Sequence, residues 1–165
     1  MIVYTEKGVG LHKAIALAGE TLVQVDGVWQ ASDTAAVQAI IDSYTLGQAK
    51  AEKMSSVLAH SKELRDKVVA SISAGEMASW PIKRSEAEAF SADQTAPCPM
   101  LTAEAQARGI PLADLVAKVH ANSARFSAAE AAIGGTDGKH RDAIAALTTF
   151  EEVAAYDFST GWPEI

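Results

Sequence analysis

Cys98 is the only thiol in the 165 residues, so no disulfide can close within the chain and no thiolate cluster can bind a metal. Aromatic residues are also scarce, at 6%, although apolar residues reach 48%. Much of that apolar fraction is alanine, which buries little surface at about 25 cal/mol per Å². Alanine is nevertheless the best helix former, because it loses no side-chain entropy in a helix. The composition therefore predicts helices joined by thin, close contacts. Basic charge is in deficit: Lys and Arg number 14 against 21 Asp and Glu, a net charge of −7. A phosphate backbone needs a concentrated basic face, so no nucleic-acid partner is expected.

No stretch approaches the roughly 18 apolar residues of a membrane span, and no membrane partner is expected. The opening MIVYTEKGVG has a lysine but no apolar run before a small-residue cleavage site, which predicts no secretory leader. The sequence thus reads as a soluble product of a reducing cytoplasm, one ordinary domain or two small ones with a shared core.

Only residues 1–31 read as β. Ile2 to Thr5 is a short β-branched and aromatic run that stops before Gly8 and Gly10. Leu22 to Val25 and Val28 to Gln30 flank Asp26-Gly27, a dipeptide that supplies the positive φ angles of a type I′ turn and so predicts a hairpin. Leu11, Ala14, Ile15 and Ala18 share a helical face between them, and Gly19 can end that helix. The expected unit is β-α-β-β, a three-stranded sheet under one helix, with the pairing of the first strand left open.

The remainder reads as helix. Ser32 or Asp33 can cap a helix carrying Val37, Ile40, Ile41 and Tyr44. A long helix is expected from Leu46 to about Ser73, with Val57, Leu64 and Val68 on its apolar line and Ser61 as a small gap. Gly75 should break it, and a shorter helix should restart at Trp80-Pro81. Pro97 and Pro99 place a loop between Asp93 and Pro99, and a helix from Leu101 ends at Arg108-Gly109. Pro111 opens another to Ile133, with Ser123 and Glu130 at seam positions that argue against a long coiled coil. Gly134, Gly135 and Gly138 predict a hinge, followed by short helices around Ile144 and from Phe150 to Tyr156. The expected fold is α+β, mainly α. It comprises a small module at 1–44, a helical hairpin or bundle at 45–156 and an extended tail at 157–165.

No motif carries chemistry. His12, His60, His120 and His140 never fall three to five apart, so no helix presents paired imidazoles to a metal. His60 and Glu63 share a face, but a di-iron bundle needs several inward carboxylates. His140-Arg141-Asp142 matches the protein-kinase catalytic triplet without its downstream Asn, Gly-rich loop or strand lysine. Gly134 to Lys139 lacks the glycine order and Lys-Ser/Thr pair of a P-loop. Glu86 and Glu88 point to different sides of a helix. Cys98, between prolines, has no adjacent His or evident helix N-terminus to activate it. Neither catalytic residue, metal nor cofactor is expected.

The three tryptophans, Trp29, Trp80 and Trp162, lie at the edges of elements. Trp80 is expected to cap a local core. Trp162 and Phe158, in an unpatterned tail, and Trp29, beside the hairpin turn, are the candidates for contact with another chain, because interfaces are rich in aromatics.

The stretch Trp80-Pro81-Ile82-Lys83-Arg84-Ser85-Glu86-Ala87-Glu88-Ala89-Phe90 resembles a segment common in bacteriophage tail proteins. The likeness continues through Ala96-Pro97, Pro99-Met100-Leu101, Ala107-Arg108-Gly109-Ile110 and Leu115-Val116-Ala117-Lys118-Val119. Over roughly residues 45–150 the chain is similar to the C-terminal helical region of tail proteins and tail-fibre assembly proteins of tailed phages. The resemblance implies a non-enzymatic component of the tail tip, baseplate or fibre, made in the bacterial host cytoplasm and located in the virion tail. Its implied partners are fibre or baseplate proteins, with homo-oligomerisation a further option. Two alternatives stand beside it: a fibre-assembly chaperone absent from the mature virion, and a small enzyme built around Cys98.

Overall fold

In a computed structural model describing residues 1–164, seven helices and one hairpin follow one another along the chain. These are α1 (Val9–Leu17), β1 (Leu22–Val25), β2 (Val28–Ala31), α2 (Thr34–Ser43), α3 (Leu46–Val68), α4 (Ala74–Ala92), α5 (Pro99–Arg108), α6 (Leu112–Ala146) and α7 (Phe150–Ala155). The class is the expected one, α+β and mainly α. Two compact units divide it: Met1–Lys62 with Gly134–Trp162 form unit 1, and Glu63–Ile133 with the residues from Pro163 on form unit 2. They do not follow the segments 1–44, 45–156 and 157–165, because α3 and α6 each contribute residues to both.

Unit 1 is built on the hairpin and its two flanking helices. Asp26 (φ 51°) and Gly27 (φ 78°) form the turn, and β1 pairs antiparallel with β2 in the register Leu22↔Ala31 to Val25↔Val28. The alternation of a strand then points Leu22, Trp29 and Ala31 at the core. That core gathers Ile2, Leu11, Ile15, Val37, Ile41, Tyr44, Ala49 and Val153. Asp33 caps α2 through its carboxylate, which accepts from the amides of Ala35 (2.8 Å) and Ala36 (3.0 Å). Ile2 to Thr5 is not a strand, and among the described residues the sheet has two strands rather than three. The Val3 amide instead donates to Gln38 Oε1 at 2.8 Å, and the Gln38 side chain returns a bond to Val3 O at 3.3 Å. A side-chain amide of α2 thus takes the place of a neighbouring strand.

Three lysines of unit 1 close helix C-termini far from themselves in sequence. Lys7 donates to Ile41 O (2.6 Å) and Tyr44 O (2.8 Å) at the end of α2. Lys50 donates to Ala145 O (2.7 Å) at the end of α6. Lys53 donates to Ala154 O (3.2 Å) and Tyr156 O (3.0 Å) at the end of α7. The last carbonyls of a helix lack intrahelical partners and carry the negative end of its dipole, so an ammonium there satisfies both needs. The other end of α7 is held by a capping box, with Thr149 Oγ1 accepting from the Glu152 amide at 3.1 Å and the Glu152 carboxylate accepting from the Thr149 amide at 3.0 Å.

Unit 2 has a core of small and medium side chains: Ala87, Cys98, Leu101, Ala105, Leu115 and Val116. Helix α4 starts at Ala74, capped by Ser73 Oγ accepting from Glu76 N (3.1 Å), and Gly75 lies inside its first turn. The restart expected at Trp80-Pro81 is therefore an interior Pro81 in an unbroken helix. Glu130, an expected weakness of the α6 seam, forms an ion pair with Arg65 at 3.0 Å.

The hinge expected at Gly134-Gly135-Gly138 is absent, and α6 runs through it. Glycine costs a helix about 1 kcal/mol relative to alanine but does not forbid it. Within that stretch Ile133, Asp137, His140 and Ile144 are buried at spacings of one helical turn. Two of those four are polar, so the stripe does not show as hydrophobic periodicity.

Candidate functional site

In unit 1 the histidines and aromatics meet one another. Trp29 stacks on Tyr4, with ring centroids 4.1 Å apart, and His12 lies beside both. The Tyr4 hydroxyl donates to Glu6 Oε2 at 3.2 Å and lies 3.0 Å from His12 Nε2. Burial, reinforced by Glu6, pushes the Tyr4 phenol up to about 12. Trp162 packs edge-on to His60 (4.9 Å) and against His140 (5.3 Å), and its indole N–H donates to Phe158 O at 2.6 Å. Phe158 is edge-on to His60 at 6.4 Å. Trp29, Phe158 and Trp162 are all half-buried in contacts with their own chain.

His140 anchors the same segment. Its Nε2 lies 3.0 Å from Thr160 O, which can only accept, so Nε2 carries a proton. Its Nδ1 lies 2.8 Å from the Tyr156 hydroxyl. Asp137, one turn earlier, pairs with Arg141 through Oδ2 (3.1 Å), while its Oδ1 is buried without a partner among the described residues. No group of three or more metal-ligating side chains occurs among the described residues, and no helix among them is long and apolar enough to cross a membrane.

For Cys98 the expectation of no adjacent helix N-terminus fails. It occupies the N-cap position of α5, so a helix N-terminus does lie beside it. The side chain that uses that terminus is Glu86, whose carboxylate accepts from Met100 N (3.1 Å) and Leu101 N (2.8 Å). The thiol points elsewhere, 3.3 Å from Glu86 O and 3.4 Å from Ala96 O, and is 5% exposed. A thiolate is activated by positive potential and solvent access; here a carboxylate sits on the dipole and the sulfur is covered.

Sequence reasoning missed a groove in unit 2. It has a volume of about 1510 Å³ and is walled by α4 and α6, with the ends of α3 and α5. Its apolar floor includes Val68, Ile72, Met77, Val119 and the edge-to-face pair Trp80 and Phe126, 5.2 Å apart. Trp80, expected to cap a local core, is half-exposed on this floor.

Six basic and four acidic residues line the groove in a chain of net charge −7. Lys83 bridges Glu76 and Glu104, both at 2.8 Å, Arg108 also pairs with Glu104 (2.9 Å), and Arg84 pairs with Glu88 (2.8 Å). The hydrogen bond from Lys83 holds the Glu104 carboxyl below its usual range against the opposing effect of burial. Burial alone would lower the Lys83 ammonium, but its bonds to Glu104 and Glu76 outweigh that and raise it. Lys67, Lys118 and Arg125 line the same groove, are exposed, and have no ion-pair partner among the described residues. The arrangement can bind and orient an apolar, negatively charged surface. Lys118 and the Trp80-Pro81 signal were visible in the sequence; their convergence with Phe126 and Arg125 depends on tertiary packing.

Comparison of the chain with protein-family models, curated proteins and solved structures finds no match.

Proposed function

We propose that this chain is a non-enzymatic tail protein of a tailed bacteriophage, a structural or accessory component of the tail tip, baseplate or fibre that acts through protein–protein contacts. One observation carries the reading: the five motif segments of the resemblance, between Trp80 and Val119, all lie in unit 2 and contribute to its core and groove. Ala87 and Phe90 from the first segment, Leu101 from the third, Ile110 from the fourth and Leu115, Val116 and Val119 from the fifth belong to one apolar cluster. Trp80, Lys83, Arg108 and Lys118 from the same segments line the groove. A resemblance scattered over some 40 residues of sequence is thus consistent with one physical object, a small helical unit bearing an open apolar surface. Grooves of that kind serve recognition, because buried aromatic anchors dominate interface energies.

Mass spectrometry of gradient-purified virions of the encoding phage tests the reading. Stoichiometric presence with fibre and baseplate proteins is the expected result. Clean absence from finished particles overturns the virion assignment, and co-purification with unassembled fibre in the same lysate would then favour an assembly chaperone.

A further inference from the structure

We infer that the unit 2 groove is the docking site for an acidic amphipathic helix of a partner protein; the inference rests on the reading that this chain works through protein contacts. A volume of about 1510 Å³ exceeds the roughly 300–1,000 Å³ of small-molecule pockets.

Trp80 and Phe126 meet edge to face and leave part of each ring exposed between α4 and α6, as anchors for the apolar face of an incoming helix. The carboxylates Glu76, Glu88 and Glu104 are already held by Lys83, Arg84 and Arg108, so they do not neutralise the exposed Lys67, Lys118 and Arg125. Those three cations select carboxylates on the flank of the ligand. Glu164, from the irregular end of the chain, also lines the groove, so one carboxylate-bearing segment already lies at its rim. A nucleic acid fits less well, because three exposed cations in a chain of net charge −7 do not make the concentrated basic face that a phosphate backbone needs.

The test uses the full chain and a fluorescein-labelled 14-residue model peptide with Leu at helical positions i, i+3, i+4 and i+7 and Glu at most others. A second peptide has Lys for every Glu, and labelled oligo-dT is the third probe. The expected result in fluorescence anisotropy is a preference of about ten-fold or more for the Glu peptide over the Lys peptide, with no comparable binding of oligo-dT. The double variant K118E/R125E, in which both residues are exposed and α6 should remain intact, is expected to abolish or invert that preference while leaving the circular dichroism unchanged. Equal affinity for both peptides, binding weaker than about 1 mM, or a preference untouched by the reversal overturns the inference.

A second readout identifies the natural ligand. A photo-crosslinking residue at Asn122, which lines the groove, should capture a tail-protein segment whose mapped site shows acidic amphipathic periodicity. Crosslinking only to a second copy of this chain or to a basic segment counts against it. Charge-selective peptide binding by a chain absent from virions would leave this inference standing and remove the virion assignment alone.

Discussion

Lys7, Lys50 and Lys53 in unit 1 and Lys67, Lys118 and Arg125 in unit 2 are cations of one acidic chain with opposite assignments. Those of unit 1 are bound to the carbonyls that end α2, α6 and α7. Those of unit 2 line a groove without an ion-pair partner among the described residues. The aromatics divide in the same way. In unit 1, Trp29 and Trp162 cover histidines of their own unit, whereas Trp80 in unit 2 lies with Phe126 on an open floor. Polar and aromatic groups in unit 1 complete the fold, and similar groups in unit 2 lie exposed along a groove.

The largest expected effect probes whether the two units are energetically distinct. Leu101 in unit 2 and Ile144 in unit 1 are both fully buried. Truncating either to alanine should cost about 3 kcal/mol. Cys98 and Trp80 report on unit 2, and Trp29 and Trp162 on unit 1. L101A should speed thiol labelling of Cys98 about a hundred-fold and leave the fluorescence transition of Trp162 in denaturant near its parent midpoint. Equal shifts in both reporters would mean one cooperative structure, and the contrast between the units would then lose its energetic meaning.

Next in size is a close approach within unit 1. A Cβ on Gly10 would collide with the Tyr44 hydroxyl, which is buried without a hydrogen-bond partner among the described residues. Gly10→Ala should destabilise by about 2 kcal/mol. In the Tyr44→Phe background the same Cβ would meet only carbons at 3.4 Å, and the change should be neutral or stabilising, because alanine favours helix. Tyr44→Phe alone should not destabilise, since it removes an unsatisfied buried hydroxyl. A double-mutant cycle by urea denaturation with no coupling would refute this account of the pair.

The lysine contrast can be tested directly. Lys53→Met should cost about 1 kcal/mol, because two carbonyls at the end of α7 lose their donor, and Lys118→Met should stay within about 0.5 kcal/mol. Equal costs would erase the distinction drawn above.

The smallest effect is on pH dependence. Glu104 has a folded pKa below its unfolded value, chiefly through its hydrogen bond from Lys83. Its contribution is therefore present above the unfolded value near 4.3 and is lost as pH falls through the lower folded value. E104Q should flatten the loss of stability between about pH 5 and pH 3 relative to the parent, measured by thermal melts followed at the Trp80 emission.

Local signals in the sequence were reliable where the structure is local. Asp26-Gly27 turns the hairpin, Asp33 caps α2, and Leu11, Ile15, Val37 and Ile41 are buried as their spacing requires. Misreadings arose where a distant group replaced the usual partner. Ile2 to Thr5 has strand composition, but the Val3 amide is satisfied by Gln38, 35 residues on. The amides that open α5 are met by Glu86, 14 and 15 residues back. Lys53 reaches Tyr156 across 103 residues, and no local window contains both. The groove belongs to this second class, because its walls come from four helices and its aromatic pair from residues 80 and 126.

Unit 1 is discontinuous in the chain, leaving at Lys62 and resuming at Gly134, while nearly all of unit 2 is the stretch between. Both cut points lie inside helices, and both flanking segments reach Trp162, through His60 on one side and His140 on the other. Trp162 therefore fastens together two segments of one unit that the chain separates by the whole of residues 63–133.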